Sequence, residues 1–400
     1  MDRKKNPFAP GAGTRPPELA GRDQIIDDAT VALARVKSGR PAKSQMLLGL
    51  RGVGKTVLLN EIARIAEGEG YRTIVIEAPE DRRLADLLVP SLRSVLYRLS
   101  TVAQAKTLAT RALRGLQRFA SAFKVKVGEI EVDVEEPGVA DSGDLELDLP
   151  ELLLLVAEAA RAAETPVAIL IDEAQYLATE DLSALIVSVH KIGQRQLPLI
   201  VFAAGLPQLA ALAGEAKSYA ERLFDYPTVG ALGETPAERA IREPIRSEGA
   251  DIEPTALAAI VEHTRGYPYF LQEWGSHAWD TAPESPITAS DVERASREAL
   301  RALDRGFFRV RMDRLTPRER DYMRAMAELG AGPHRSGDIA ALLGIQVTTA
   351  GPLRSGLIRK GMIYSPQHGD TAFTVPMFDA FLKRSMPEWA PTRGPRRGKS

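Results

Sequence analysis

The chain has 400 residues, 44% of them hydrophobic and 26% charged, with a formal net charge of −1. These are ordinary globular values, with room for two or three domains and at least one full core. There is no cysteine, which excludes disulfides, thiolate catalysis, zinc ribbons and iron–sulfur clusters. The near-neutral balance excludes a uniformly basic nucleic-acid binder but not a local basic patch. The five histidines are scattered and form no HExxH, so no catalytic zinc site is expected. No apolar run reaches the ~18 residues of a membrane span. The N-terminus lacks the apolar region of a secretory signal. A soluble, cytoplasmic protein with no membrane partner is expected.

Residues 1–17 and 389–400 are basic and rich in proline and glycine, which predicts disordered tails. From residue 18 the pattern becomes regular. A helix over "RDQIIDDATVALARVKSG" stops at Gly39, and "SQMLLGL" is a short buried strand. A glycine loop and the helix "KTVLLNEIARIAEGEG" follow, then the strand "RTIVIEAP". Helical sequence fills 81–123. Residues 129–148 hold nine acidic side chains and no Lys or Arg, which predicts an acidic hairpin or loop inserted at 124–149. Strands are predicted at 167–172, 197–205 and 226–232, separated by helical sequence. This alternation argues for an α/β fold with a parallel sheet covered on both faces. Strand signals stop after Thr235. Helices fill 236–305, with capping boxes at "TASD" (288–291) and "TPRE" (316–319).

The segment from Gly49 to Thr56 reads G-x-x-x-x-G-K-T in full. Glycine weakens strands and helices alike, so three of them between two apolar runs mark a place that needs backbone more than side chains. Gly49, Gly52 and Gly54 let the backbone wrap a phosphate, with Val53 between them and Val57 just beyond. The following helix points its N-terminal N–H groups at the same anion. Lys55 brings a point charge to the β- and γ-phosphates, and Thr56 offers a hydroxyl to Mg²⁺. The other half of such a site is an acid at the end of another strand. "VAILIDEAQYL" places Asp172 there as the metal-side carboxylate, with Glu173 beside it to polarise an attacking water. ATP and Mg²⁺ are the expected ligands. The only asparagines, at 6 and 60, begin no NKxD guanine-reading motif.

With these motifs the chain resembles AAA+ or STAND-type P-loop ATPases of the initiator-like group. "ELAGRDQII" resembles the segment that lies beside the adenine in that group, so Gly21 and Arg22 are expected at the nucleotide. The resemblance implies the sheet order 5-1-4-3-2 within an ATPase domain at 18–235. It also implies a helical lid at 236–305 and a winged helix at 306–388. It implies a polar residue at the end of strand "LIVFAAGLPQL", where Ala203, Ala204 and Gly205 stand and Gln208 is the nearest candidate. "SYAERLFDY" resembles the helix end that presents an arginine finger to a neighbouring subunit, which picks out Arg222 and a homo-oligomer. "TRGYPYFLQ" resembles the lid turn that carries a sensor arginine, but Tyr269 holds that position and Arg265 is out of register. The aromatics Tyr267, Tyr269, Phe270 and Trp274 are expected in the lid core rather than on a base-stacking surface.

Residues 335–364 have helix–turn–helix grammar. "GDIAALLG" closes at Gly344, Thr348 or Thr349 caps the next helix, and Pro352 falls near its first turn. Arg354, Arg359 and Lys360 would then reach double-stranded DNA, with His368 at the wing tip. Ten arginines against five acids over 294–324 add a basic stripe. Winged helices also dock on proteins. The sequence therefore leaves two outputs open: an ATPase coupled to DNA binding or assembly, and a STAND-type signalling switch whose winged helix docks on protein.

Overall fold

The computed structural model describes residues 1–11, 13–80, 82–125, 140–367 and 369–390. The chain forms two compact units. One comprises Arg22–Gly49 and Lys55–Val229; the other comprises Met1–Gly21, Leu50–Gly54 and the chain from Gly230 onward.

The first unit runs α1 (Asp23–Lys37), β1 (Ser44–Leu48), α2 (Lys55–Gly68), β2 (Arg72–Glu77), α3 (Leu84–Ser100), α4 (Lys106–Ala122) and α5 (Leu145–Ala162). It continues with β3 (Val167–Asp172), α6 (Thr179–Gln194), β4 (Leu199–Gly205), α7 (Leu209–Ala216), α8 (Ala220–Leu223) and β5 (Phe224–Asp225). The five strands are parallel in the order β2-β3-β4-β1-β5, the expected 5-1-4-3-2. β3 and β4 are buried along their whole length, as central strands of a sheet covered on both faces must be. The α3–α6 layer closes one face over Met46, Ile74, Leu116, Phe119, Leu153, Ile169 and Val201.

Two expectations change here. The acidic stretch does not stay a loop to residue 149, because α5 starts at Leu145. Asp144 caps it by accepting from the Glu146 N–H at 2.9 Å, and buried Asp148 accepts from Ser142 and Gly143. Acids at a helix start satisfy free N–H groups and favour the dipole. The rest of the stretch, 126–139, lies outside the described residues. The last strand begins earlier than 226, at Phe224, and is broken by Pro227, which has no N–H to give. Pairing beside β1 resumes through Leu48 N–H to Pro227 O and Val229 N–H to Leu48 O.

The second unit carries α9 (Glu234–Ser247), α10 (Pro254–Thr264), α11 (Pro268–Thr281) and α12 (Ala289–Leu303), then a π-helical turn at Asp304–Phe308 and α13 (Arg309–Asp313). α14 (Pro317–Leu329), β6 (His334–Arg335), α15 (Ser336–Leu343), α16 (Val347–Arg359), β7 (Ile363–Tyr364), β8 (Asp370–Phe373) and α17 (Phe378–Ser385) complete it. Both capping boxes form, at Thr288/Asp291 and Thr316/Glu319. Three helices and a small antiparallel sheet, β6-β8-β7, make the winged helix. Gln346, not a threonine, precedes α16, and Pro352 lies inside that helix. His368 lies outside the described residues. No linker separates lid from winged helix near residue 305. The π-helical turn runs on from α12, and Phe308 packs on Phe270, Phe378 and Phe381 in one aromatic core.

The N-terminal segment is also not the free tail its composition suggests. Asn6 Nδ2 donates to Ser276 O and to Asp280 Oδ1, and Arg3 pairs with Asp280. Trp279 Nε1 donates to Asp2 O. Phe8 is buried against Gly275, where a Cβ would lie 2.6 Å from its ring. One aromatic anchor and a polar clip offset the ordering entropy of a short basic segment. Trp389 is likewise held, its Nε1 donating to Asp321 at 3.2 Å; residues 391–400 lie outside the described residues. Phe8→Ala should therefore destabilise the unit by about 3 kcal/mol, the usual scale for a buried Phe truncation, read as a lower urea midpoint of the full chain. A tail without structural weight would leave the midpoint unchanged.

Candidate nucleotide site

The glycine loop joins the end of β1 to the start of α2. Gly52 and Gly54 have φ of +85° and +94°, values that side chains strongly disfavour. Gly49 does not share this role. Its φ is not positive, and its N–H donates to Gly205 O at 3.0 Å as a continuation of the sheet. Val53 and Lys55 are buried, and Thr56 and Val57 are half-buried in the first turn of α2. A fourteen-residue helix that starts at Lys55 turns its N-terminal end and positive dipole here, which suits an anion.

Within the sheet unit, Thr56 Oγ1 donates to Asp172 Oδ2 at 2.6 Å. Asp172 ends β3 and is buried. Burial pushes its pKa upward, against the hydrogen bonds from Thr56 and from the Glu173 N–H and the nearby charge of Lys55. A hydroxyl and a carboxylate side by side are hard oxygen donors of the kind Mg²⁺ takes. That ion is usually held by one or two carboxylates with phosphate and water rather than by an all-protein cage. Among the described residues no group of three or more His, Cys, Asp or Glu could hold a metal.

Glu173 follows with left-handed backbone, φ 52° and ψ 35°. This is an uncommon conformation for a glutamate, of the kind that clusters at functional sites. The turn takes its side chain out of the strand's alternation. Its Oε2 accepts a short hydrogen bond from Gln175 Nε2. Gln175 Oε1 in turn accepts from the Leu206 N–H at 3.0 Å. Sequence reasoning passed over Gln175; the signal was a polar residue two places after the acidic pair, buried at 9% exposure. Gln208, picked as the polar residue after β4, stands before α7 with its Oε1 buried and without a hydrogen-bond partner among the described residues.

The remaining candidates fall into separate places. Gly21 has φ +66°, and a Cβ there would meet Pro236 at 2.8 Å. Arg22 is buried just before α1, and burial lowers its pKa. Arg222 is exposed on α8. In the lid turn Tyr267, Phe270 and Trp274 are buried as expected, while Tyr269, expected with them, is only half-buried. Tyr269 stacks on Phe307 at 4.5 Å and donates to Glu273, and Arg265 is exposed. The crown of the loop, Leu50–Gly54, belongs to the second unit. There the Tyr269 N–H donates to Gly52 O at 3.1 Å, the Tyr267 hydroxyl donates to Arg51 O, and the Arg51 N–H donates to Thr374 O at 3.2 Å. Arg311 lies 3.8 Å over the Phe307 ring, its pKa pushed down to about 10 by burial and by the charge of Arg51.

In the winged helix only one of the three picked cations is free to meet a partner. Arg354 donates to Thr371 Oγ1, Ser365 Oγ and Asp370 O at 2.7–2.9 Å, tying α16 to the hairpin. Lys360 donates to Glu319 Oε2 at 2.7 Å and to Arg314 O at 3.0 Å. These donors are used by acceptors of the domain itself. Arg359 is exposed, as are Arg305, Arg309 and Arg318 of the basic stripe. Arg294, Arg297, Arg301 and Arg320 of that stripe form ion pairs.

Residues 18–202 match the model of the AAA ATPase domain family, and residues 305–382 match a domain of unknown function, DUF8462. The chain is 23% identical to an uncharacterized HTH-type transcriptional regulator of Methanocaldococcus jannaschii over 82% of this chain and 79% of the relative. The fold is similar to that of a Walker-type ATPase of Pyrococcus abyssi, with a TM-score of 0.58, 18% identity, and 92% and 97% of the two chains covered. The structure of Cdc6p from Pyrobaculum aerophilum matches at TM-score 0.48 and 14% identity, covering 97% of this chain and 98% of that one. No helix among the described residues is long and apolar enough to cross a membrane.

The raised pKa of Asp172 has a direct consequence for stability. The folded state holds its proton more tightly than the unfolded chain. Stability is therefore lost as pH rises from the ordinary aspartate range through the raised folded value, and is regained on acidification. Asp172→Asn removes the buried charge while its amide oxygen can still accept from Thr56. It should raise the melting temperature at pH 7. An unchanged or lower melting temperature would count against this account.

Proposed function

We propose that this chain, which carries an AAA ATPase domain over residues 18–202, binds Mg²⁺·ATP at Gly49–Thr56 and hydrolyses it. The observation that carries the reading is the linked array Thr56–Asp172–Glu173–Gln175 at the ends of α2 and β3. In this reading the backbone at Gly49, Gly52, Val53 and Gly54 and the N–H groups leading into Val57 wrap the phosphates. Lys55 neutralises charge between them, and Gly21 and Arg22 lie beside the adenine. Thr56 and Asp172 hold the metal; when bound, it neutralises charge on the phosphate oxygens. Glu173 accepts a proton from the attacking water. Arg222, exposed on a short helix, serves a neighbouring copy of the chain as an arginine finger.

The output passes through the winged helix. An HTH-type relative supports duplex DNA as its target, with Arg359 and the exposed Arg305, Arg309 and Arg318 as phosphate contacts. A second reading has its own support. The Arg51 N–H is bonded to Thr374 O just after β8, and Arg354 and Lys360 are spent inside the domain. Both facts suit a signalling switch in which the winged helix docks on the glycine loop instead of on DNA.

Phosphate release by the full chain, with and without duplex DNA, tests the proposal. Glu173→Gln should cut turnover by at least about 100-fold, the low end for a general base. Duplex DNA should raise the wild-type rate. Turnover that ignores Glu173→Gln would overturn the enzyme reading. For the output, Arg359→Ala should lower the salt slope of duplex binding by about one unit. A rate indifferent to DNA, with no measurable duplex binding, would favour the docking switch. Arg222→Ala separates the two as well: a finger in trans is worth ~10³ or more in rate, whereas a monomeric switch would keep its turnover.

A further inference from the structure

The end of β4 poses a chemical problem. Ala203, Ala204 and Gly205 bring no polar side chain to the place where the sheet meets the proposed catalytic carboxylate, and all three are buried. We propose that Gln175 fills this gap as the positioning residue of Glu173, coupling its carboxylate to the loop that leaves β4. The inference rests on the hydrolytic reading of the site given above.

Three observations within the sheet unit carry it. First, the amide of Gln175 is used at both ends. Its Oε1 accepts from the Leu206 N–H at 3.0 Å, and its Nε2 donates to Glu173 Oε2. A backbone N–H can only donate, and a carboxylate can only accept. The two partners therefore force one orientation of the amide, and no flipped arrangement satisfies both. Second, Gly205 is shaped around this contact. A Cβ at Gly205 would lie 2.7 Å from Gln175 Oε1 and 2.8 Å from Leu209 Cδ2. Any side chain on the last residue of β4 would push the amide away. The absence of a polar residue there and the presence of Gln175 are thus two sides of one arrangement. Third, Glu173 needs such a partner. Its left-handed backbone opens a three-residue turn, Ala174–Tyr176, and its other oxygen, Oε1, accepts no hydrogen bond among the described residues. One oxygen is held while the other stays free for a water, which fixes the plane of the carboxylate without occupying its basic site.

The arrangement also ties Glu173 to chain movement after β4. Leu206 begins the turn that leads through Gln208 into α7. A shift of that turn draws on Gln175 Oε1 and so rotates the Glu173 carboxylate. Gln175 touches neither phosphate nor metal in this scheme; it acts only through Glu173.

Steady-state hydrolysis of Mg²⁺·ATP by the full chain tests this with Gln175→Ala, Gly205→Ala and the double variant, beside Glu173→Gln. Each single change should lower kcat by about tenfold or more and leave KM and the dissociation constant of a fluorescent ATP within about threefold, the signature of an interaction made in the transition state. The double variant should be no slower than the worse single one, because both remove the same contact. Gly205→Ala keeps the test alive if Gln175→Ala does not fold. Gln175→Ala turnover within about threefold of wild type, or a double variant whose losses multiply, would overturn the proposal. Should Glu173→Gln abolish turnover while Gln175→Ala does not, the positioning role alone fails. Should wild-type turnover be absent or indifferent to Glu173→Gln, the hydrolytic reading fails and takes this role with it.

Discussion

A buried carboxylate governs this molecule. Asp172 sits at the end of the central strand β3, and its charge is taken out of water at a cost the fold must meet elsewhere. The Thr56 hydroxyl and the Glu173 N–H are arranged around it, and Lys55 contributes charge from the start of α2. The parallel order of the sheet is what brings these together. With β3 and β4 side by side and β1 next to β4, the end of β3 meets the first turn of α2. A helix N-terminus, a cation and a carboxylate then converge where strands end, the usual ligand position of open α/β sheets. Little of this arrangement favours stability, and much of it favours a charged ligand.

How much of this was legible in the sequence varies with the range of the interaction involved. The glycine loop and the acidic pair could be read because each motif is local and its chemistry dictates its spacing. Sheet order followed from a resemblance, and the structure reproduces it. Gln175 escaped because its partners, Glu173 and the Leu206 N–H, converge only when β3 and β4 lie side by side. The same limit misled the reading of Arg354 and Lys360. A basic residue on a second helix looks like a phosphate contact until the hairpin folds back and supplies acceptors for it. Composition misled at the N-terminus, where buried Phe8 and the contacts of Asp2, Arg3 and Asn6 hold a segment that reads as a tail.

The second unit shows how aromatic packing replaces charge. The lid turn lacks an arginine at the position of Tyr269, and that ring instead stacks on Phe307 while its N–H reaches Gly52 O. Arg311 lies over the other partner of this stack, beside Arg51. The crown of the glycine loop is thus bonded to two tyrosines and to the Thr374 carbonyl.

The left-handed backbone at Glu173 carries a consequence for how this sequence can drift. That conformation is cheap for glycine, tolerable for asparagine and costly for glutamate. In the hydrolytic reading proposed above, the work of the carboxylate is what offsets the disfavoured backbone there. Where that work lapses, the backbone itself pushes toward glycine or asparagine, because either relieves strain while leaving the fold intact. A lineage that has given up turnover but kept nucleotide binding should therefore betray itself at this one position, with the glycine loop and Asp172 still in place.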